Sequence, residues 1–62
     1  MRYNLRQLRK AKGLTQGDLA KKTGISRATI NRIETGMQED IMVSNIIKFA
    51  EALDCKISDL VN

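Results

Sequence analysis

Apolar residues recur along this chain in short stretches at helical spacing, not in the strict alternation of half-buried strands. The first stretch predicts a helix from about Tyr3 to Lys12. Leu5 and Leu8 face inward, and Arg2, Arg6, Arg9, Lys10 and Lys12 crowd the remaining surface. A second helix begins at Thr15, turns Leu19 and Ala20 inward and Lys21 and Lys22 outward, and stops at Thr23-Gly24. A third starts at Ser26 and stops before Gly36, with Ile25, Ile30 and Ile33 on one side. The fourth is capped by Asp40 or Ser44 and carries Val43, Ile46, Ile47, Ala50 and Leu53 at helical spacing, with Phe49 beside them. The run IMVSNII is rich in β-branched residues and looks locally like a strand. Its period continues unbroken through KFAEAL, which decides for helix. ISDLV, with Ile57, Leu60 and Val61, closes the chain as a short fifth helix. The expected fold class is all-α, five short helices.

Punctuation supports these boundaries. Gly13, Gly24 and Gly36 each follow a helical pattern, where a left-handed C-terminal cap belongs. Gly17 sits just inside a helix start, where its cost is tolerable. T-Q-G-D at 15–18 has the form of a capping box, and Ser26 can take up a free backbone N–H of the third helix. Only Gly24-Ile25 separates the second and third helices, too few residues for an antiparallel return, so the two must cross steeply. Such a crossing needs a small residue where the axes approach, a glycine in the turn, and apolar residues to seat the second helix. Ala20, Gly24, Ile30 and Ile33 meet those needs in order, which is a helix-turn-helix pattern.

Size and composition narrow the picture. Sixty-two residues have room for one domain, spanning 1–62. At this length folding removes only about 60% of the extended chain's surface from water, so stability is thin. Small domains lean on disulfides, metals or oligomerisation. Cys55 is the only cysteine and histidine is absent, which excludes an internal disulfide and a Cys/His zinc site and leaves a partner subunit. A single thiol suits a reducing, cytoplasmic setting. The longest uninterrupted aliphatic run is Ile41-Met42-Val43, so neither a secretion signal nor a membrane segment is expected. No motif implies a cofactor, a metal or a small-molecule ligand. Catalysis is not expected either: no histidine can act as base, and no nucleophile or Gly-rich phosphate loop sits in a recognisable setting. Ser44 and Lys48 lie one helical turn apart, a common accident.

Charge adds more. The net charge is +4, but residues 1–35 carry nine Lys/Arg against Asp18 and Glu34, a net of +7. Residues 36–62 carry Lys48 and Lys56 against Glu39, Asp40, Glu51, Asp54 and Asp59, a net of −3. So strong a polarisation in a small body creates a cationic end that polyanions should feel. The outward face of ISRATINRIETG belongs to that end, with Ser26, Arg27, Ala28, Asn31 and Arg32 all within two turns.

NLRQLRKAKGLTQGDLAKKTGISRATINRIETG resembles the XRE-type family, the phage Cro and repressor-like helix-turn-helix DNA-binding domains. The resemblance continues more weakly through IIKFAEALDCKISDLV and so covers nearly the whole chain. It implies a lambda-repressor-like fold in which the third helix lies in the major groove of duplex DNA. Arg27 and Arg32 would then fork onto guanine, Ala28 offer a methyl to thymine, and Asn31 pair with adenine. Ser26 would divide its duty between cap and contact. Gln16 matches a glutamine that bonds a phosphate. Arg9 and Glu34 match positions that form an internal ion pair, and Arg9 could also touch phosphate. Asn4, Lys12 and Lys21 are candidate outer phosphate contacts. Plainer roles stay open: solvated surface arginines for Arg27 and Arg32, and a capping neighbour for Gln16. Cys55 stands where the family usually has valine, which suggests a buried small hydrophobe.

Two departures from the family pattern stand out. Met37-Gln38-Glu39-Asp40 is longer by one residue and acidic, so this loop either points away from DNA or weakens nonspecific affinity. Lys56 occupies the usual Ser cap position of the fifth helix, which should fray or be ordered by a partner. The function expected is a sequence-specific double-stranded DNA-binding transcriptional regulator, a repressor acting as a homodimer on a palindromic operator. Phe49, Ile57, Leu60 and Val61 are the expected dimer surface, or else ordinary core. The alternative is an antitoxin-like or anti-repressor interaction module on the same fold.

Overall fold

The computed structural model describes residues 3–38 and 40–61. Arg2 and Glu39, placed by the sequence on the first helix and in the acidic connection, lie outside the described residues. The elements are α1 (Leu5–Ala11), α2 (Gln16–Thr23), α3 (Arg27–Glu34), α4 (Val43–Ala52) and α5 (Ile57–Leu60). All five expected helices are present, with ends trimmed to the capping residues.

The helix-turn-helix is built as its sequence demands. Thr15 Oγ1 accepts the Asp18 backbone N–H at 3.0 Å, and Asp18 Oδ2 accepts the Thr15 N–H at 2.9 Å, so the capping box of α2 closes on both sides. The helix ends at Gly24, whose φ of 74° lies in the left-handed region that an L side chain adopts only at a cost. Buried Thr23 stitches the turn: its hydroxyl donates to the Leu19 carbonyl at 2.8 Å and accepts the Ile25 N–H at 3.1 Å. Ser26 then caps α3 by accepting the Thr29 N–H at 3.2 Å.

One apolar cluster fills the centre: Leu5, Leu19, Ile25, Ile30, Ile33, Phe49, Ala50, Leu53 and Leu60. Fully burying a side chain of this kind is worth about 1.5–3 kcal/mol, and this cluster is what seats α3. Cys55 packs half-buried against it, and burial and nearby Asp59 push its thiol up, away from the reactive thiolate.

The C-terminal half departs from expectation in three ways. Of the α4 stripe, Val43 is 70% and Ile47 42% exposed, while Phe49 is 1% exposed and Leu60 2%. Helical spacing alone does not say on which flank a stripe is covered. Here Ile46, Phe49, Ala50 and Leu53 turn toward the core and Val43 and Ile47 fall beyond its edge. Phe49 and Leu60 are therefore core and cannot supply a dimer surface. Second, α4 is preceded by Met42, which offers no side-chain cap; neither Asp40 nor Ser44 plays that part. Third, α5 is tied to its own chain. Asp59 Oδ2 accepts the Lys56 N–H at 3.1 Å, the reciprocal half of a capping box, which fastens the helix start from the Asp59 side. The Asn4 N–H reaches the Leu60 carbonyl at 2.8 Å, its side-chain amide reaches the Asp59 carbonyl at 3.2 Å, and Tyr3 and Val61 form an isolated antiparallel bridge.

Candidate nucleic-acid interface

With Ile30 and Ile33 turned into the core, α3 must present its opposite side to solvent. Ser26, Arg27, Ala28, Asn31 and Arg32 are all exposed, so the five expected base-contacting residues share one accessible face. Ser26 Oγ also donates to Thr29 Oγ1 at 2.9 Å, and Arg32 Nη2 approaches the same oxygen at 3.4 Å. Thr29 thus braces both neighbours. The sequence reading missed it, although its three-residue spacing from Ser26 and Arg32 was visible.

Behind this face lies a polar joint between α1, α2 and α3. Arg9 Nε donates to Glu34 Oε2 at 2.7 Å and Nη2 to Oε1 at 3.1 Å, a two-pronged pair whose side chains are 10% and 2% exposed. Arg9 Nη1 donates to the Leu14 carbonyl at 2.7 Å. Gln16 Nε2 adds a bond to Glu34 Oε1 at 3.1 Å and another to Asn31 Oδ1 at 3.3 Å. Burial pushes the Glu34 carboxyl up. The hydrogen bonds from Arg9 and Gln16 and the charge of Arg9 outweigh it, leaving the group below its ordinary value. Glu34 is therefore held as a carboxylate, and its hydrogen bond to Arg9 raises that guanidinium in turn.

This joint sorts the expected phosphate contacts. Arg9 is only 8% exposed, and three of its donors are spent inside, so it braces the helices against one another. Gln16 gives both amide hydrogens to Glu34 and Asn31 and keeps only an acceptor, whereas phosphate needs a donor. The first backbone N–H groups of α2 point out of the helix start beside it. Lys12 and Lys21 are exposed, Lys12 near enough to Cys55 for its charge to act on the thiol. Asn4 is engaged with α5 at the meeting of the two ends of the described chain.

The helix-turn-helix family model matches residues 5–60. The chain belongs to the XRE-type helix-turn-helix family. It is 42% identical over 60 residues to an uncharacterized HTH-type transcriptional regulator of Methanocaldococcus jannaschii, covering 97% of this chain and 89% of that protein. It is 43% identical over 58 residues to an HTH-type protein of Methanocella arvoryzae, covering 94% of this chain but spanning only 17% of that protein's length. Among solved structures, the restriction-modification controller protein C.AhdI from Aeromonas hydrophila superposes with a TM-score of 0.83 at 41% identity, over 90% of this chain and 83% of that one. The biofilm master regulator SinR, solved in complex with DNA, superposes with a TM-score of 0.90 at 27% identity, over 95% and 94% of the two chains. In this XRE-type member the helix-turn-helix surface and its brace are complete within the described residues. No helix among them is long and apolar enough to cross a membrane.

Proposed function

We propose that this XRE-type chain binds duplex DNA sequence-specifically, as a transcriptional repressor, by laying α3 in the major groove. The observation that carries the reading is the exposed Arg27 and Arg32 on the face opposite buried Ile30 and Ile33. No ion pair engages either arginine among the described residues. Both can fork onto guanine edges, Ala28 can meet a thymine methyl, and Asn31 and Ser26 complete the row. Lys12, Lys21 and the backbone N–H groups at the start of α2 would meet phosphates on the flanks.

The test is a titration of duplexes enriched from a random pool. Arg27→Ala and Arg32→Ala should each weaken binding about tenfold or more and relax preference at one base pair. Lys21→Ala should weaken all sequences alike and flatten the salt dependence. Binding of equal strength in both arginine variants would refute the reading.

One short recognition helix offers little area, and a homodimer on a palindromic operator would double it. Exposed Val43, Ile47 and Ile57, with half-buried Val61, supply apolar surface for a second copy, in place of the buried Phe49 and Leu60. Sedimentation should then show a dimer that Ile47→Asp and Ile57→Asp dissociate. A chain that is monomeric with and without operator, but captured by a different protein through these residues, would favour the antitoxin-like alternative.

A further inference from the structure

We propose that Gly17 is a positioning residue for base recognition: having no side chain, it leaves open the path by which Arg27 crosses the start of α2 to reach the duplex. The inference rests on the DNA-binding reading above and adds to it a residue that touches no base.

Glycine has no backbone cause at this position. It lies inside α2, where glycine is destabilising relative to alanine. Gly13, Gly24 and Gly36 adopt positive φ, and Gly17 is not among them. Nor does close packing exclude a β-carbon. A Cβ on Gly17 would stand 3.7 Å from Thr15 Oγ1 and 3.9 Å from Arg27 Cδ, ordinary contact distances. Alanine would therefore fit and strengthen the helix. What the position does not admit lies beyond the β-carbon.

Two side chains bound that space. Longer helical side chains lean back over the turn that precedes them. Here that turn holds Thr15, whose hydroxyl is fixed by the Asp18 N–H at 3.0 Å, and across it runs the stem of Arg27. Arg27 starts from the first position of α3, behind the Ser26 cap. Its Cδ, the last carbon before the guanidinium, has already reached Gly17. Gly17 is half-buried although Thr15 and Asp18 on either side are exposed. A long or branched residue 17 would take the place of the arginine methylenes and turn the guanidinium away from the groove. Arg32 leans instead on Thr29 of its own helix, so the two arginines are set independently.

The experiment is selection of duplexes from a randomised pool with the wild-type chain, followed by titration of duplexes differing at each enriched position. The base pair whose preference disappears in Arg27→Ala is the one Arg27 reads. Gly17→Ala should keep that preference and raise the thermal midpoint. Gly17→Leu should cut it from about tenfold to about twofold or less and leave the base pair read by Arg32 unchanged. Added to Arg27→Ala, the leucine should weaken binding no further. That non-additivity separates a diverted arginine from a leucine that obstructs the phosphate backbone, which would weaken the Arg27→Ala chain as well. Leucine is a better helix former than glycine, and thermal melts check that each variant is folded. Four results overturn the proposal while leaving DNA binding intact: an undisturbed preference in Gly17→Leu, an equal loss at every enriched position, a full further loss in the double variant, or a loss in Gly17→Ala as large as in Gly17→Leu. A pool that yields no enriched duplex overturns both.

Discussion

The two halves of the molecule are held by different physics. From α1 through α3 directional joints are added to the shared apolar core. A two-pronged ion pair, a closed capping box and a chain of amides fix how side chains point. In α4 and α5 the joints are mainly apolar: Phe49, Ala50, Leu53 and Leu60 are buried, the start of α4 lacks a side-chain cap, and Val43 and Ile47 reach into solvent. Hydrogen bonds of fixed geometry suit a surface that must present five side chains in register. Apolar packing tolerates sliding and suits a surface that closes on another apolar surface.

The sharpest way to break this contrast is to remove one end of the ion pair. Glu34→Ala leaves the Arg9 guanidinium buried without its counter-charge. The expected cost is about 3–5 kcal/mol, enough to leave a domain of this size largely unfolded. Val43→Ser or Ile47→Ser alters only exposed side chains and should change stability by about 0.5 kcal/mol or less. Urea denaturation of the three variants decides it. Losses of equal size would mean that the polar joint is ornamental. The paired replacement Arg9→Met with Glu34→Leu should recover much of the loss, because it removes both charges from the interior together.

The same contrast explains what was legible beforehand. The T-Q-G-D box, the Ser26 cap and the arginine face are each encoded by polar residues at short fixed spacing, whereas the Arg9–Glu34 pair spans 25 residues and was legible only through the family resemblance. Not all of that code was readable. The donors of Gln16 are shared between Glu34 and Asn31, fifteen and more residues away, a pairing that needed three dimensions. In α4 the apolar residues say only that something covers them. Val43 and Ile47 repeat the helical period as faithfully as Ala50 does, and only the placement of the neighbouring helices separates them. The tie of Asn4 to α5 was hidden for a related reason: it runs through backbone carbonyls, which every residue has.

A second test uses acid. The Glu34 carboxyl sits below its unfolded value, because the bonds from Arg9 and Gln16 and the charge of Arg9 outweigh burial. Asp18 is lowered as well, first by its bond to the Thr15 backbone N–H and then by the Thr15 side chain. Where a folded-state pKa is depressed, the unfolded chain binds more protons, so stability increases with pH. Both contributions are complete above about pH 4.5, the range where unfolded carboxylates have ionised, and are lost as pH falls through the folded-state values. Thermal melts from pH 6 down to pH 2 should show a falling midpoint, and Glu34→Gln should flatten that slope. An undiminished slope in Glu34→Gln would remove the carboxylate from the account.

Helix starts provide a smaller and more symmetrical test. Thr15→Ala opens the box of α2 and should cost about 1 kcal/mol. Met42→Ser gives α4 the cap it lacks, at a position whose φ of −59° and ψ of 138° already suit an N-cap, and should gain about 0.5–1 kcal/mol. In a chain of this size each amounts to about 4–8 °C in midpoint per kcal/mol. Opposite signs from the two halves are the expected outcome. A loss in Met42→Ser would mean that the exposed methionine covers apolar surface worth more than a cap.

Helix ends separate the halves most finely. α1 closes with the Leu14 N–H on the Arg9 carbonyl at 3.1 Å and the Gly13 N–H on the Lys10 carbonyl at 2.9 Å. α3 repeats the pattern, Met37 to Arg32 at 2.9 Å and Gly36 to Ile33 at 3.3 Å, and α4 repeats it again, Cys55 to Ala50 at 3.0 Å and Asp54 to Glu51 at 3.2 Å. The residue between must adopt positive φ. Gly13 and Gly36 do so at 71° and 79°, whereas α4 uses Asp54 at 50°. A side chain there costs about 1–2 kcal/mol for most residues and less for aspartate, whose short polar group can bond locally. Replacing it with glycine removes that strain but adds freedom to the unfolded chain, worth about 0.4–1 kcal/mol in the other direction. Asp54→Gly should therefore stabilise by only about 0.5 kcal/mol, and Asp54→Ala should destabilise by about 1 kcal/mol. The order Gly, Asp, Ala in denaturant midpoint would show that α4 ends by the same backbone rule as α1 and α3. Alanine equal to aspartate would show instead that the turn relaxes out of the left-handed region, and that apolar packing of Leu53 and Leu60 holds α4 and α5 together without it.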